Sequence, residues 1–270
     1  MTVHNNLNLI YYVLHRRPYR ESSQIVDLFC ERQGRFSALH RVNKKQPALQ
    51  PFTPYQMQFS GRGDLKYCQH VEIYYPSIYS APINPDNTGT LEGAANRLPI
   101  RLPIGNSSVK GQSLKGRNLY CGFYLNELII RLTWKDEPQK ELYQVYQQTL
   151  IGLLQLDNDM QSEPLLRRFE FHLLAALGYQ YNWLQDSECR DIQPEQFYSF
   201  DPFAGFNLIT AHTHGGSAVQ RFPGHAILAI AAEDWQHELS WSVAKNIARL
   251  ALNPLLGDKP LASRELFKKL

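Results

Sequence analysis

Two histidines two residues apart, His212 and His214 in Ala211-His212-Thr213-His214-Gly215-Gly216, are the nearest this chain comes to a reactive cluster. On a strand, positions i and i+2 face the same way. Both rings could then ligate one zinc ion, with His225, His237 or Cys189 as remote partners. Beside an acid, such a metal would serve a metal-dependent nuclease or hydrolase. The spacing is unspecific, and ordinary surface histidines explain it better. The chain carries no G-x-S-x-G, no P-loop, no G-x-G-x-x-G and no H-E-x-x-H. Its four cysteines, Cys30, Cys68, Cys121 and Cys189, include no C-x-x-C pair. That pattern fits free thiols in a reducing compartment better than a disulfide framework or a zinc knuckle. No cofactor is implied.

Charge is the second source of chemistry. Between Met1 and Tyr75 stand ten basic residues, Arg16, Arg17, Arg20, Arg32, Arg35, Arg41, Lys44, Lys45, Arg62 and Lys66, against five acids. This +5 compares with +3 for all 270 residues, so the remainder is net acidic. Positive charge concentrated in one region speaks to an anionic partner rather than to fold. Arg16, Arg17, Arg35, Arg41, Lys44, Lys45, Arg62 and Lys66 mostly flank strand ends, where they would track a phosphate backbone. Tyr11, Tyr12, Tyr19, Phe36 or Tyr67 could stack bases beside them. A solvated charge set over an aromatic core is the plain alternative. Ser60-Gly61-Arg62-Gly63-Asp64 reads as a hairpin whose glycines supply positive φ and whose Arg62 stands at the tip.

The elements that must position these residues begin with short aromatic and β-branched runs. Strands are expected over 7–13, 24–31, 35–42, 55–59 and 66–74, with Arg16-Arg17-Pro18-Tyr19 breaking the first. In 24–31, Ile25, Asp27 and Phe29 alternate with Val26, Leu28 and Cys30, so both faces are candidates for burial. Five short strands with glycine turns fit a small barrel such as an OB-fold. Residues 81–117, punctuated by Pro, Gly and Ser, read as a long linker or insertion. Helices are expected over 119–132, 139–156, from Ser162 to Gly178, over 241–252 ending at Asn253-Pro254, and over 263–270. A short strand is expected over 206–212. The class is therefore α+β: an N-terminal OB-fold over 1–80, the linker, and a mainly helical domain over 118–270. The N-terminus lacks a basic n-region and an apolar h-region, so no secretory signal is expected. The longest strongly apolar stretch, 226–232, is too short to span a bilayer. The expected compartment is the cytoplasm.

In Arg167-Arg168-Phe169-Glu170 the two arginines point to different sides of a helix, since neighbours are about 100° apart. One could rim an apolar groove suited to a short acidic peptide. Periodicity alone favours an arginine paired with a nearby acid.

Several phrases, in order and nearly end to end, resemble the RecO family of bacterial DNA repair proteins. In the first domain they are Tyr12-Val13-Leu14-His15-Arg16-Arg17-Pro18-Tyr19-Arg20-Glu21, Gly34-Arg35, Leu49-Gln50-Pro51-Phe52-Thr53-Pro54 and Gly61-Arg62-Gly63. Tyr124-Leu125-Asn126-Glu127-Leu128, Leu166-Arg167-Arg168-Phe169-Glu170 and Leu256-Gly257-Asp258-Lys259-Pro260-Leu261 follow. The resemblance implies a recombination mediator rather than an enzyme. Such a protein binds single- and double-stranded DNA, anneals strands, contacts the acidic tail of single-stranded-DNA-binding protein, and acts with RecR to help load RecA. Carried over, the DNA surface uses the basic residues named above, and the tail groove lies near Leu166, Arg167 and Phe169. The chain lacks the four-cysteine zinc site of many members, and its 84–117 stretch is longer than their usual link. An RNA-binding OB module remains a further alternative.

Overall fold

The computed structural model describes residues 9–44, 47–61, 66–74, 113–156, 162–210, 220–236 and 238–268. Five strands close a barrel: β1 (Ile10–Tyr19), β2 (Ser23–Cys30), β3 (Gly34–Arg41), β4 (Pro54–Ser60) and β5 (Lys66–Ile73). Their order is β1-β2-β3-β5-β4, and β4 returns to β1. Only β3 and β5 run parallel, pairing Ala38 with Lys66 and Leu39 with Tyr67. This is the arrangement of an OB-fold.

Strand alternation explains the core. Val26, Leu28 and Cys30 of β2 face inward with Tyr11, Val13, Phe36, Ala38, Tyr55, Met57 and Cys68. Tyr11, Phe36 and Phe59 meet edge to face, with ring centroids 5.1–6.0 Å apart. The expected break in β1 does not occur. The strand runs on to Tyr19 and pairs Pro18 with Gln24. Beyond Tyr12 it no longer meets β4, so Pro18 lies on an edge, where a missing N–H is tolerated.

Two helices, α1 (Gly116–Leu132) and α2 (Lys140–Gln155), cover one end of the barrel's outer face. Phe29 and Tyr12 point outward from β2 and β1 and pack on Tyr143 and Tyr146 of α2. The connection between α1 and α2 lies against Gly34, whose φ is +67°. A Cβ there would fall 1.8 Å from the Glu137 carbonyl oxygen, so glycine is required for close approach as well as for conformation.

The last helix, α6 (Ala262–Phe267 in chain order), returns to α1. There Glu127 accepts hydrogen bonds from the backbone N–H groups of Ala262 and Ser263, each at 2.8 Å. A carboxylate at a helix N-terminus satisfies groups the helix cannot.

The compact units are drawn differently from the expected 1–80, 81–117 and 118–270. The barrel, α1, α2 and α6 form one unit, and residues 163–260 belong to the other. That second unit contains α3 (Ser162–Ala176) from Glu163 onward, α4 (Gly224–Ala231), α5 (Glu238–Leu256) and a sheet of order β7-β6-β8. The sheet strands are β6 (Phe197–Asp201), β7 (Gly205–Leu208) and β8 (Phe222–Pro223). The α3 helix ends where expected: Gly178 takes φ +91° and the Tyr179 N–H closes on the Leu174 carbonyl at 2.9 Å. By contrast α5 passes the expected stop, because Pro254 sits in its final turn, where little helix remains to be interrupted. Of the expected 206–212 strand, residues 206–208 lie in β7, which begins one residue earlier, while 209–210 lie beyond its end; β6 and α4 were not expected. No described helix is long and apolar enough to cross a membrane.

Candidate nucleic-acid interface

The register of the barrel sorts its basic residues. Arg17, Ile25, Leu39 and Tyr67 are successive cross-strand partners on β1, β2, β3 and β5. Direct partners point to the same face, and this row lies on the outside, opposite the core. The next outward row is Tyr19, Ser23 and Arg41. At strand spacings of about 4.8 Å, the first row spans roughly 14 Å. These rows occupy the end of the outer face that α1 and α2 leave open.

Arg17, Arg41 and Lys44 are exposed there. Among the described residues none of the three has an ion pair. Arg20, at the β1–β2 turn, lies 5.2 Å over the Tyr19 ring. A cleft of about 550 Å³ opens beside β3 and β5, lined by Ser23, Leu39, Arg41, Asn43, Tyr67 and Gln69 among others. Toward the helices the face changes character. Ser37 donates to Asp27 at 2.6 Å, Lys135 donates to Ser37 at 3.0 Å, and His15 lies 3.9 Å from Asp27. The cationic strip therefore ends at a polar cluster that contains its own acid.

Three of the expected phosphate contacts have internal partners. Arg16 donates from Nη1 to the Leu49 carbonyl at 2.9 Å and so pins the Leu49–Pro54 phrase to β1. Arg35 donates from Nη2 to the Thr133 carbonyl at 2.7 Å, while its own carbonyl accepts from the Asp136 N–H. Burial pulls its guanidinium below the usual arginine range, with Asp27 and Asp136 opposing the shift. Lys66 pairs with inward-facing Ala38, and its Nζ sits 4.8 Å from the Phe36 ring centroid. Lys45 and Arg62 lie outside the described residues. Of the aromatic candidates, Tyr11, Tyr12 and Phe36 are buried and cannot stack on a base. Tyr19 is half-buried, and Tyr67 is 48% exposed.

The side chains expected to line the tail groove are buried. Leu166, Arg167 and Phe169 are 5%, 4% and 0% exposed. Arg167 Nη1 lies 2.9 Å from Glu170 and its Nη2 lies 3.8 Å from Glu163, which Lys245 also meets at 2.9 Å. Arg168 forms a two-pronged pair with Glu233. The ion-pair reading favoured by periodicity is the one observed, and these three side chains build the interior of the unit.

His212, His214 and His237 lie outside the described residues. His225 lies with Nδ1 3.4 Å from the Pro194 carbonyl, and Cys189 is exposed. Among the described residues no three metal-ligating side chains gather.

Sequence reasoning passed over Asn43, Ser23 and Leu39. The two-residue alternation, continued past Pro18 and counted across the strands, is the signal that would have placed them.

Comparison with known proteins agrees with this architecture. Residues 8–76 match the family model "Recombination protein O N terminal", and residues 114–232 match "Recombination protein O C terminal". A DNA repair protein RecO from Pseudomonas paraeruginosa is 37% identical over 258 residues, covering 95% of this chain and 92% of the relative. One from Alteromonas mediterranea is 36% identical over 269 residues, covering 97% of both. One from Coxiella burnetii is 35% identical over 261 residues, covering 94% of this chain and 95% of the relative. With a closed five-stranded barrel, a helical C-terminal region and these matches along most of its length, the chain belongs to the RecO family of DNA repair proteins.

Proposed function

We propose that this chain is a non-enzymatic, DNA-binding mediator of recombinational repair. It holds single- and double-stranded DNA on the open barrel face and anneals complementary strands. With RecR it helps load RecA onto strands coated by single-stranded-DNA-binding protein. It works at the nucleoid in the cytoplasm. The observation that carries the reading is the placement of Arg17 and Arg41, exposed and on one outward face, in a family whose role is DNA repair.

Cations on a rigid sheet meet phosphates at fixed spacing and release counterions as they do so. Arg16 and Arg35 support that surface indirectly by fixing the loop after β3 and the α1–α2 connection. Lys45 and Arg62 belong to the same basic stretch of the sequence. The acidic tail of the coating protein is the second partner, and its contact lies outside the buried trio Leu166, Arg167 and Phe169. Holding a strand and its coating protein on one body raises the effective concentration of the incoming strand or recombinase. No covalent step is required.

The test is annealing of complementary oligonucleotides precoated with single-stranded-DNA-binding protein. The wild type should accelerate annealing, and a combined Arg17→Glu, Arg41→Glu variant should lose most of that effect. A wild type that neither binds nor anneals DNA would overturn the reading.

A further inference from the structure

We infer that the cleft beside β3 and β5 is a single-strand subsite, taking one unstacked base of DNA on the Tyr67 ring with Arg41 at the adjoining phosphate. This rests on the DNA-binding reading above and deepens it.

Tyr67 is a large aromatic placed outward on a sheet, where its ring covers none of the barrel core. Its hydroxyl makes no hydrogen bond among the described residues. Its direct partner Leu39 lines the same cleft and gives it an apolar floor. Ser23, Asn43 and Gln69 make the rim polar, with Gln69 donating from Nε2 to Ser60 Oγ at 2.6 Å. Arg41 stands two residues beyond Leu39 on the same face, about 6.6 Å away along the strand. That offset matches a base on the ring and its phosphate on the guanidinium. The cleft volume of about 550 Å³ lies within the range of pockets that enclose a small ligand, about 300–1,000 Å³.

A paired base in a duplex is already stacked on both sides and reaches such a ring only by leaving the stack, which is costly. A single strand offers its bases freely. The cleft therefore separates two modes of binding. Cations on the open face hold either form of DNA, and Tyr67 adds affinity for the single strand alone.

The experiment compares the full-length protein with Tyr67→Ala, Tyr67→Leu and Tyr67→Phe. Each is titrated at one salt concentration against a labelled oligothymidylate and against a duplex of equal length. Tyr67→Ala and Tyr67→Leu should weaken single-strand binding by about 5- to 150-fold, the range of one lost base stack. Duplex affinity should stay within twofold, and Tyr67→Phe should retain both. Photocrosslinking of wild type to an oligonucleotide carrying 5-iododeoxyuridine should map to Tyr67, which covers the case of a variant that fails to fold. Equal losses on both DNAs, or no loss on either, would overturn the subsite while leaving the basic surface intact. Crosslinks mapping away from the cleft would do the same. If wild type binds neither DNA, the underlying reading falls with it.

Discussion

Tyr146 of α2 donates its hydroxyl to the Asn126 side-chain oxygen of α1 at 2.7 Å, and Asn126 in turn donates to the Leu14 carbonyl at 2.9 Å and the Val13 carbonyl at 3.3 Å. Both side chains are buried. The register of β1 shifts between Val13 and His15, so the two carbonyls belong to an irregular stretch of backbone. One asparagine thus ties two helices to the strand that carries Arg17. Burial drives the Tyr146 hydroxyl well above its usual range and keeps it a donor. Asn126→Ala should cost about 1–3 kcal/mol, because it leaves the tyrosine hydroxyl without its acceptor and strips a donor from two carbonyls. Urea unfolding measures this. Tyr146→Phe should cost less, and the double variant should cost less than the sum of the two.

Gly34 tests how the α1–α2 connection meets the barrel. Gly34→Ala combines a left-handed backbone with a Cβ placed against the Glu137 carbonyl. The backbone conformation alone should cost about 1–3 kcal/mol, with the steric overlap adding to it. A thermal midpoint equal to wild type would mean that the connection does not seat there.

Arg167 separates a structural role from a docking role. With Glu170 fully buried beside it, Arg167→Ala removes the cation paired with a buried carboxylate and should destabilise by about 3–5 kcal/mol. Replacing both members, as Arg167→Met with Glu170→Leu, should recover much of the loss. A stable Arg167→Ala protein that fails only to bind an acidic tail peptide would restore the groove.

His40 gives the barrel a pH dependence. Its Nε2 lies 3.0 Å from the Pro47 carbonyl, and its Nδ1 is buried without a partner among the described residues. Burial lowers the imidazole below its usual range, more than the Pro47 contact raises it. The ring is then neutral when folded, whereas the unfolded chain takes up a proton near pH 6.5. Stability from this site is complete above that pH, falls as pH drops through it, and levels off below the folded value. The urea midpoint of wild type should therefore drop between pH 7 and pH 5 by more than that of His40→Gln.

The barrel was legible because five short aromatic and β-branched runs are bounded by glycine turns, although Ile25 and Phe29 alternating with Val26, Leu28 and Cys30 left open which face of 24–31 turns inward. The reach of β1 was not. Proline argues against a strand, and only the pairing with β2 shows that one edge is free. Of the expected phosphate contacts, Arg17 and Arg41 stand exposed on the outer face of the barrel. No local pattern could show that Arg16, Arg35 and Lys66 have internal partners, because Leu49, Thr133 and the inward Phe36 ring come to them through tertiary packing. For Arg167, periodicity favoured an ion pair with a nearby acid, and the structure supplies Glu163 and Glu170 as its partners.

The most direct test of the account is the salt dependence of single-strand binding, read by fluorescence anisotropy for wild type, Arg17→Ala and Arg41→Ala. Each phosphate contact contributes about −0.7 to the slope of log affinity against log salt. Wild type should lose affinity steeply with salt, and each variant should show a slope shallower by about that amount. Wild-type binding absent at low salt, or slopes identical in all three proteins, would contradict the claim that this open barrel face holds DNA.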